Sequence, residues 1–129
     1  MMAADPVFLD TSLLVAASVV QHPGSLAARG YLATLAASQT PTCLSPQVCR
    51  EFMVVLTRQP VSGRTFSLAE ALAALDAWRQ ACTLLEEEQV HDCNLVAVML
   101  VHGIRRLATR NAADFQRYAG LIDVESVTP

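Results

Sequence analysis

Four acidic residues stand out by where they fall. Asp10 directly follows the apolar run Val7-Phe8-Leu9. Glu51 lies nearly two turns beyond Thr42-Cys43-Leu44. Asp92 comes after Cys82-Thr83-Leu84-Leu85 and opens an apolar segment, and Asp114 lies in the first turn after Arg106-Leu107-Ala108-Thr109. If these runs are parallel strands, all four carboxylates reach the same end of one sheet, the end where open α/β sheets bind ligands. Carboxylates gathered there repel one another unless protons or a cation intervene. Their hard oxygens suit Mg²⁺ or Mn²⁺. Chemistry open to such a site is metal-assisted phosphodiester hydrolysis, with the phosphate oriented, water converted to hydroxide and the leaving oxygen stabilised.

Each acid also has a plainer role. Asp10, Asp92 and Asp114 stand where helices begin, and each could cap a helix or complement its dipole. Glu51 could be a solvated helix residue, although it borders an apolar stripe containing Val48 and Val55, and a charge at the edge of a buried face needs a partner. The joint pattern is more informative than any single acid. Glu86-Glu87-Glu88 reads as a solvated loop, and Glu70 closes a capping box with Ser67. Asp5, Asp76, Asp123 and Glu125 show no convergent placement.

The elements that must position these residues follow from short apolar runs alternating with longer helical patterns, the mark of βαβ units. Strands are predicted at Val7–Leu9, Thr42–Leu44, Cys82–Leu85, Arg106–Thr109 and, as an edge, Ile122–Val127. An all-apolar helix runs from Thr11 and Ser12 to Val20, and His22-Pro23-Gly24 breaks it. A second spans Ser25 to Ala37. Ser45-Pro46 begins a third, serine at the cap and proline at the first helical position. Its stripe is Val48, Phe52, Val55 and Leu56, and Gln59-Pro60 stops it. Ser67 opens a fourth with Leu68, Leu72, Leu75 and Trp78 on one side. Asp92 opens another, apolar from Leu95 to Val101, closed by Gly103. Asn111-Ala-Ala-Asp114 resembles a capping box for a short helix to Tyr118. This order predicts an α/β fold, a three-layer α/β/α sandwich around a mostly parallel sheet of four to five strands.

Composition narrows the function. The chain has 129 residues, enough for one domain, with 53% hydrophobic and 16% charged residues. That excludes a disordered chain and a solvated coiled coil. The net charge of −3 argues against a general nucleic-acid coat. All nine basic residues are arginine. Without lysine there is no P-loop, no Schiff base, and neither a phosphoacceptor receiver nor a haloacid-dehalogenase-type phosphatase. The latter also wants an aspartate where Ser12 stands. Cys43, Cys49, Cys82 and Cys93 form no C-x-x-C pair, so they read as reduced thiols in a cytoplasmic protein. No signal peptide is visible, and the longest apolar runs are far short of the ~20 residues that cross a bilayer.

With these residues in view, the chain resembles the PIN-domain ribonucleases, and among them the VapC-like toxins of type II toxin–antitoxin pairs. Val7-Phe8-Leu9-Asp10-Thr11-Ser12 looks like the opening strand with its first acid. Ser45-Pro46-Gln47-Val48-Cys49-Arg50-Glu51 looks like the second motif and His91-Asp92-Cys93-Asn94-Leu95-Val96-Ala97 like the third. Leu107-Ala108-Thr109-Arg110-Asn111-Ala112-Ala113-Asp114-Phe115 resembles the fourth. The resemblance covers essentially all of residues 1–129 as a single PIN-like domain. It implies Asp10, Glu51, Asp92 and Asp114 as the catalytic acids and ligands of Mg²⁺ (or Mn²⁺). Ser12, Thr109 and Asn111 would support them or orient substrate. Some relatives carry an acid at the position of Asn111, so Asn111 and Asp114 can divide the fourth role. It further implies an RNA substrate, a homodimer and a cognate antitoxin. Arg110 is placed to hold a phosphate or to pair with a nearby acid. Arg50, Arg58, Arg64, Arg105, Arg106 and Arg117 read mostly as surface charges. His22, His91 and His102 read as structural, and Trp78 and Phe52 as core or interface. The alternative from another class is a catalytically inactive PIN-like protein- or RNA-binding module.

Overall fold

The computed structural model describes residues 5–85, 99, 100, 102–118 and 120–128. The expected helix opened by Asp92, with Asp92, His91 and Cys93, lies outside them but for Met99 and Leu100. Five strands, β1 (Val7–Leu9), β2 (Thr42–Leu44), β3 (Thr83–Leu84), β4 (Arg106–Thr109) and β5 (Asp123–Ser126), form one sheet in the order β3-β2-β1-β4-β5. Every ladder is parallel, so the sheet is more uniform than the mostly parallel one expected. Val7, Phe8 and Leu9 are all fully buried. Successive strand side chains point to opposite faces, so β1 is covered on both, as a three-layer α/β/α architecture requires.

Helices α1 (Thr11–Ser18), α2 (Ser25–Ala37), α3 (Pro46–Arg58) and α4 (Leu68–Ala81) make the crossovers. α3 begins as expected: Ser45 is the N-cap, its hydroxyl accepts from the Val48 N–H at 3.2 Å, and Pro46 stands at the first helical position. α4 begins with the full capping box between Ser67 and Glu70.

Four expectations are corrected. α1 stops at Ser18, two residues early, and Val20 is 61% exposed. On α4 the buried position is Ala71, while Leu68 and Leu72 are exposed and Leu75 and Trp78 pack only partly against the core. Trp78 instead donates from Nε1 to Ser18 Oγ at 2.8 Å, tying α4 to the end of α1. β3 is only two residues long, because Cys82 still closes α4 through its N–H to the Trp78 carbonyl. The segment Ala112–Tyr118 is a 3₁₀ helix, with the Asp114 N–H bonded to the Asn111 carbonyl rather than to a capping side chain.

Strand order fixes where a ligand fits. The chain leaves β1 toward β2 and β3 on one side, while β4 and β5 lie on the other, so the order reverses between β1 and β4. Crevices at such switch points, outside the carboxyl ends of the strands, are the binding sites of open α/β sheets.

Candidate active site

Asp10 leaves the carboxyl end of β1, at the switch point. Its N–H extends the ladder to the Ala108 carbonyl at 3.2 Å, and its own carbonyl accepts from the Leu13 and Leu14 N–H groups. It therefore occupies the N-cap of α1, but its side chain makes no capping bond. The carboxylate instead accepts from Ser12 Oγ and from Thr109 Oγ1, each at 2.8 Å and both on Oδ2. Oδ1 carries no hydrogen bond among the described residues. The capping alternative for Asp10 thus does not describe its side chain. Two hydroxyls, one from the first turn of α1 and one from the end of β4, aim the carboxylate across the switch point.

Thr109 is fully buried and does more than one job. Its hydroxyl lies 3.2 Å from Ser12 Oγ and accepts from the Asn111 N–H at 3.0 Å, while Ser12 Oγ accepts from the Arg110 N–H at 3.1 Å. Ser12 and Thr109 therefore lock the chain leaving β4 against the chain leaving β1. A buried polar network of this kind persists because its members satisfy one another.

Glu51 reaches the same region from α3. Thr11 Oγ1 donates to its Oε2 at 2.9 Å and Gln47 Nε2, one turn back on α3, to its Oε1 at 2.9 Å. Thr11, expected only as part of a helix start, is thus a bridge between α1 and α3. Asp114 lies in the first turn of the 3₁₀ helix. Asp10, Glu51 and Asp114 all line one pocket of about 380 Å³ with Thr11, Ser12, Val15, His22, Val55, Arg110, Asn111 and Phe115. The pocket therefore gathers three of the four predicted acids, Ser12, Asn111 and Arg110, while Thr109 is buried and reaches it through its bond to Asp10. Asp92 lies outside the described residues. Among those described, no group of three or more His, Cys, Asp or Glu side chains forms a set that could hold a metal ion.

His22, which the sequence marks as structural, also lines the pocket. Strand ends can be found from apolar runs, but His22 sits in the loop after α1, and only the fold returns it to the carboxyl edge. Its Nδ1 accepts from the Gly24 N–H at 2.9 Å, and its Nε2 lies 3.5 Å from Arg110 Nη1. Burial, and then the Arg110 cation, push the imidazole below its ordinary value of 6.5. Both effects favour the neutral ring over the imidazolium.

By their chemistry, though not as a closed three-ligand group among the described residues, the oxygens of the lining suit a hard divalent ion. They are carboxylate, hydroxyl and amide oxygens, with no thiol in the lining. Cys43 and Cys49 are buried and Cys82 half-buried, all outside disulfides, and burial pushes the Cys43 and Cys82 thiols up.

No family model and no curated protein matches the sequence. Among solved structures, the fold is similar to that of Mycobacterium tuberculosis VapC20, a sarcin-ricin loop cleaving toxin. The TM-score is 0.60 at 21% identity, covering 95% of this chain and 99% of that one. The likeness runs through nearly the whole of both chains and establishes a VapC-like PIN fold, in agreement with the motifs in the sequence.

Proposed function

We propose that this chain, as one PIN-like unit over residues 1–129, is a metal-dependent endoribonuclease toxin neutralised by a cognate antitoxin. The observation that carries the reading is Asp10, held at the switch point by Ser12 and Thr109, in one open pocket with Glu51 and Asp114. The fold shared with a toxin named for cleaving an RNA loop supports RNA as the substrate class.

Asp10, Glu51 and Asp114, joined by Asp92, would hold Mg²⁺ or Mn²⁺. When bound, such an ion polarises the phosphate and lowers the pKa of water. The chain's own residues do the positioning. Ser12 and Thr109 orient Asp10, and Thr11 and Gln47 orient Glu51. Arg110 faces the pocket as a cation for the phosphate, and Asn111 stands beside Asp114 to share the fourth role. Among the described residues no helix is long and apolar enough to cross a membrane. A cytoplasmic homodimer is the proposed form. Exposed Val54 and Val55 on α3, beside the pocket, suit an apolar segment of the antitoxin.

The test is cleavage of RNA by the purified chain with Mg²⁺ or Mn²⁺. Cleavage should vanish in EDTA and fall ~100-fold or more in Asp10→Asn, the scale of disrupting a metal site. Cleavage that persists in EDTA, or is undiminished in Asp10→Asn, rejects the assignment. No cleavage under any metal favours the inactive binding module.

A further inference from the structure

The His22–Arg110 contact contains a conflict of hydrogen-bond donors. His22 Nδ1 accepts from the Gly24 N–H at 2.9 Å, so the neutral ring carries its proton on Nε2. That N–H lies 3.5 Å from Arg110 Nη1, itself a donor without any acceptor capacity. Two donors cannot satisfy each other. The opposite tautomer would let Nε2 accept from Arg110 but set two N–H groups against each other at Gly24. Arg110 Nε is also buried and has no partner among the described residues. The facing N–H groups of His22 Nε2 and Arg110 Nη1, unmatched by each other, call for an oxygen acceptor.

Gly24 shows that the guanidinium is seated with little room to spare. Its φ of −90° suits any residue, so its lack of a side chain is not a matter of backbone conformation. What it provides is space. A Cβ there would stand 2.5 Å from Arg110 Nε, 2.6 Å from Cζ and 2.8 Å from Nη2. The turn His22-Pro23-Gly24 therefore offers one donor from its imidazole and a flat shelf under the arginine.

We propose that His22 Nε2–H and the Arg110 guanidinium form a two-donor seat for a single phosphate oxygen of the RNA backbone, alongside the acids in the same pocket. The choice of RNA rests on the nuclease reading; the seat itself rests on the donor geometry. His22 is then a substrate-binding residue and Gly24 a positioning residue that acts through Arg110.

Two measurements test it. Ring nitrogen NMR of the ¹⁵N-labelled protein should show His22 protonated on Nε2, and inorganic phosphate added with Mg²⁺ should shift that nitrogen. In RNA cleavage, His22→Phe should raise KM about tenfold, as for one hydrogen bond to a charged group, with kcat little changed. His22→Gln, which keeps an N–H donor, should recover most of that loss. Gly24→Ala should raise KM with an unaltered melting temperature, since the atoms it meets are the far end of a flexible side chain. A ring protonated on Nδ1, a His22 signal indifferent to phosphate, or an unchanged KM in His22→Phe would each overturn the seat. If phosphate shifts His22 but no RNA is cut with any metal, the seat stands and the nuclease reading falls.

Discussion

Arg106 and Arg110 bracket β4, four residues apart, and the fold treats them in opposite ways. At the amino end of the strand, Arg106 Nε donates to Glu125 Oε1 at 2.7 Å and Nη1 to the Asp5 carbonyl at 2.9 Å. Glu125 also accepts from the Tyr31 hydroxyl of α2. Each charge there has an answer within the chain. At the carboxyl end, Arg110 faces the His22 ring at 3.5 Å, has a buried Nε without a partner among the described residues, and lines a pocket with three acids. A closed network holds structure, whereas an open one holds free energy in reserve for a ligand. The difference separates an arginine satisfied within the chain from one on the proposed substrate pocket, and composition cannot make that distinction.

The largest effect should come from breaking the closed network. Glu125→Ala removes the carboxylate shared by Arg106 Nε and the Tyr31 hydroxyl; the ion pair is mostly buried, its side chains 25% and 29% exposed. It should cost about 2 kcal/mol in chemical denaturation, while cleavage per folded molecule stays as in the parent. Arg110→Gln should do the reverse, with stability within about 0.5 kcal/mol of the parent and RNA cleavage efficiency down about tenfold. If Arg110→Gln instead unfolds the protein, the division between the two ends of β4 fails.

The pH dependence sharpens the same contrast. Burial, helped by the bond to Glu125, raises the Tyr31 hydroxyl well above its ordinary 10.0. The folded state then keeps a proton that the unfolded chain releases near pH 10. The stabilisation is complete below that value and is lost as the pH rises through and beyond it. Denaturation midpoints should therefore drop between about pH 9 and about pH 11, and Tyr31→Phe should flatten the drop. The smallest effect belongs to a region that touches neither network. Ser67→Ala removes the α4 capping box and should cost about 1 kcal/mol, read as a shift in melting temperature with cleavage unaffected.

Much of this was legible in the chain. The strands up to Leu44, the cap at Ser45-Pro46 and the box at Ser67–Glu70 are local signals, and local physics decides them. The acids at 10, 51 and 114 were legible because a parallel sheet brings strand ends together, so their positions after apolar runs were enough. Ser12 and Thr109 as supports of the acids were legible only through the family resemblance; the spacing alone left Asp10 open to a capping role, because residues 10 and 109 meet only across the switch point. His22 was hidden for the same reason: its loop follows a helix, and no periodicity reports where a loop returns. The Leu68 and Leu72 stripe on α4 misled because apolar spacing marks a face without saying what covers it; the covered position is Ala71.

The central claim is that the carboxyl end of this sheet is a divalent metal site built on Asp10. Anomalous scattering from crystals grown with Mn²⁺ tests it directly. The claim predicts a Mn²⁺ peak in the pocket lined by Asp10, Glu51 and Asp114, bonded to Asp10 and lost in Asp10→Asn. A pocket free of Mn²⁺ at saturating concentration, or an ion bound elsewhere and unaffected by Asp10→Asn, would contradict it.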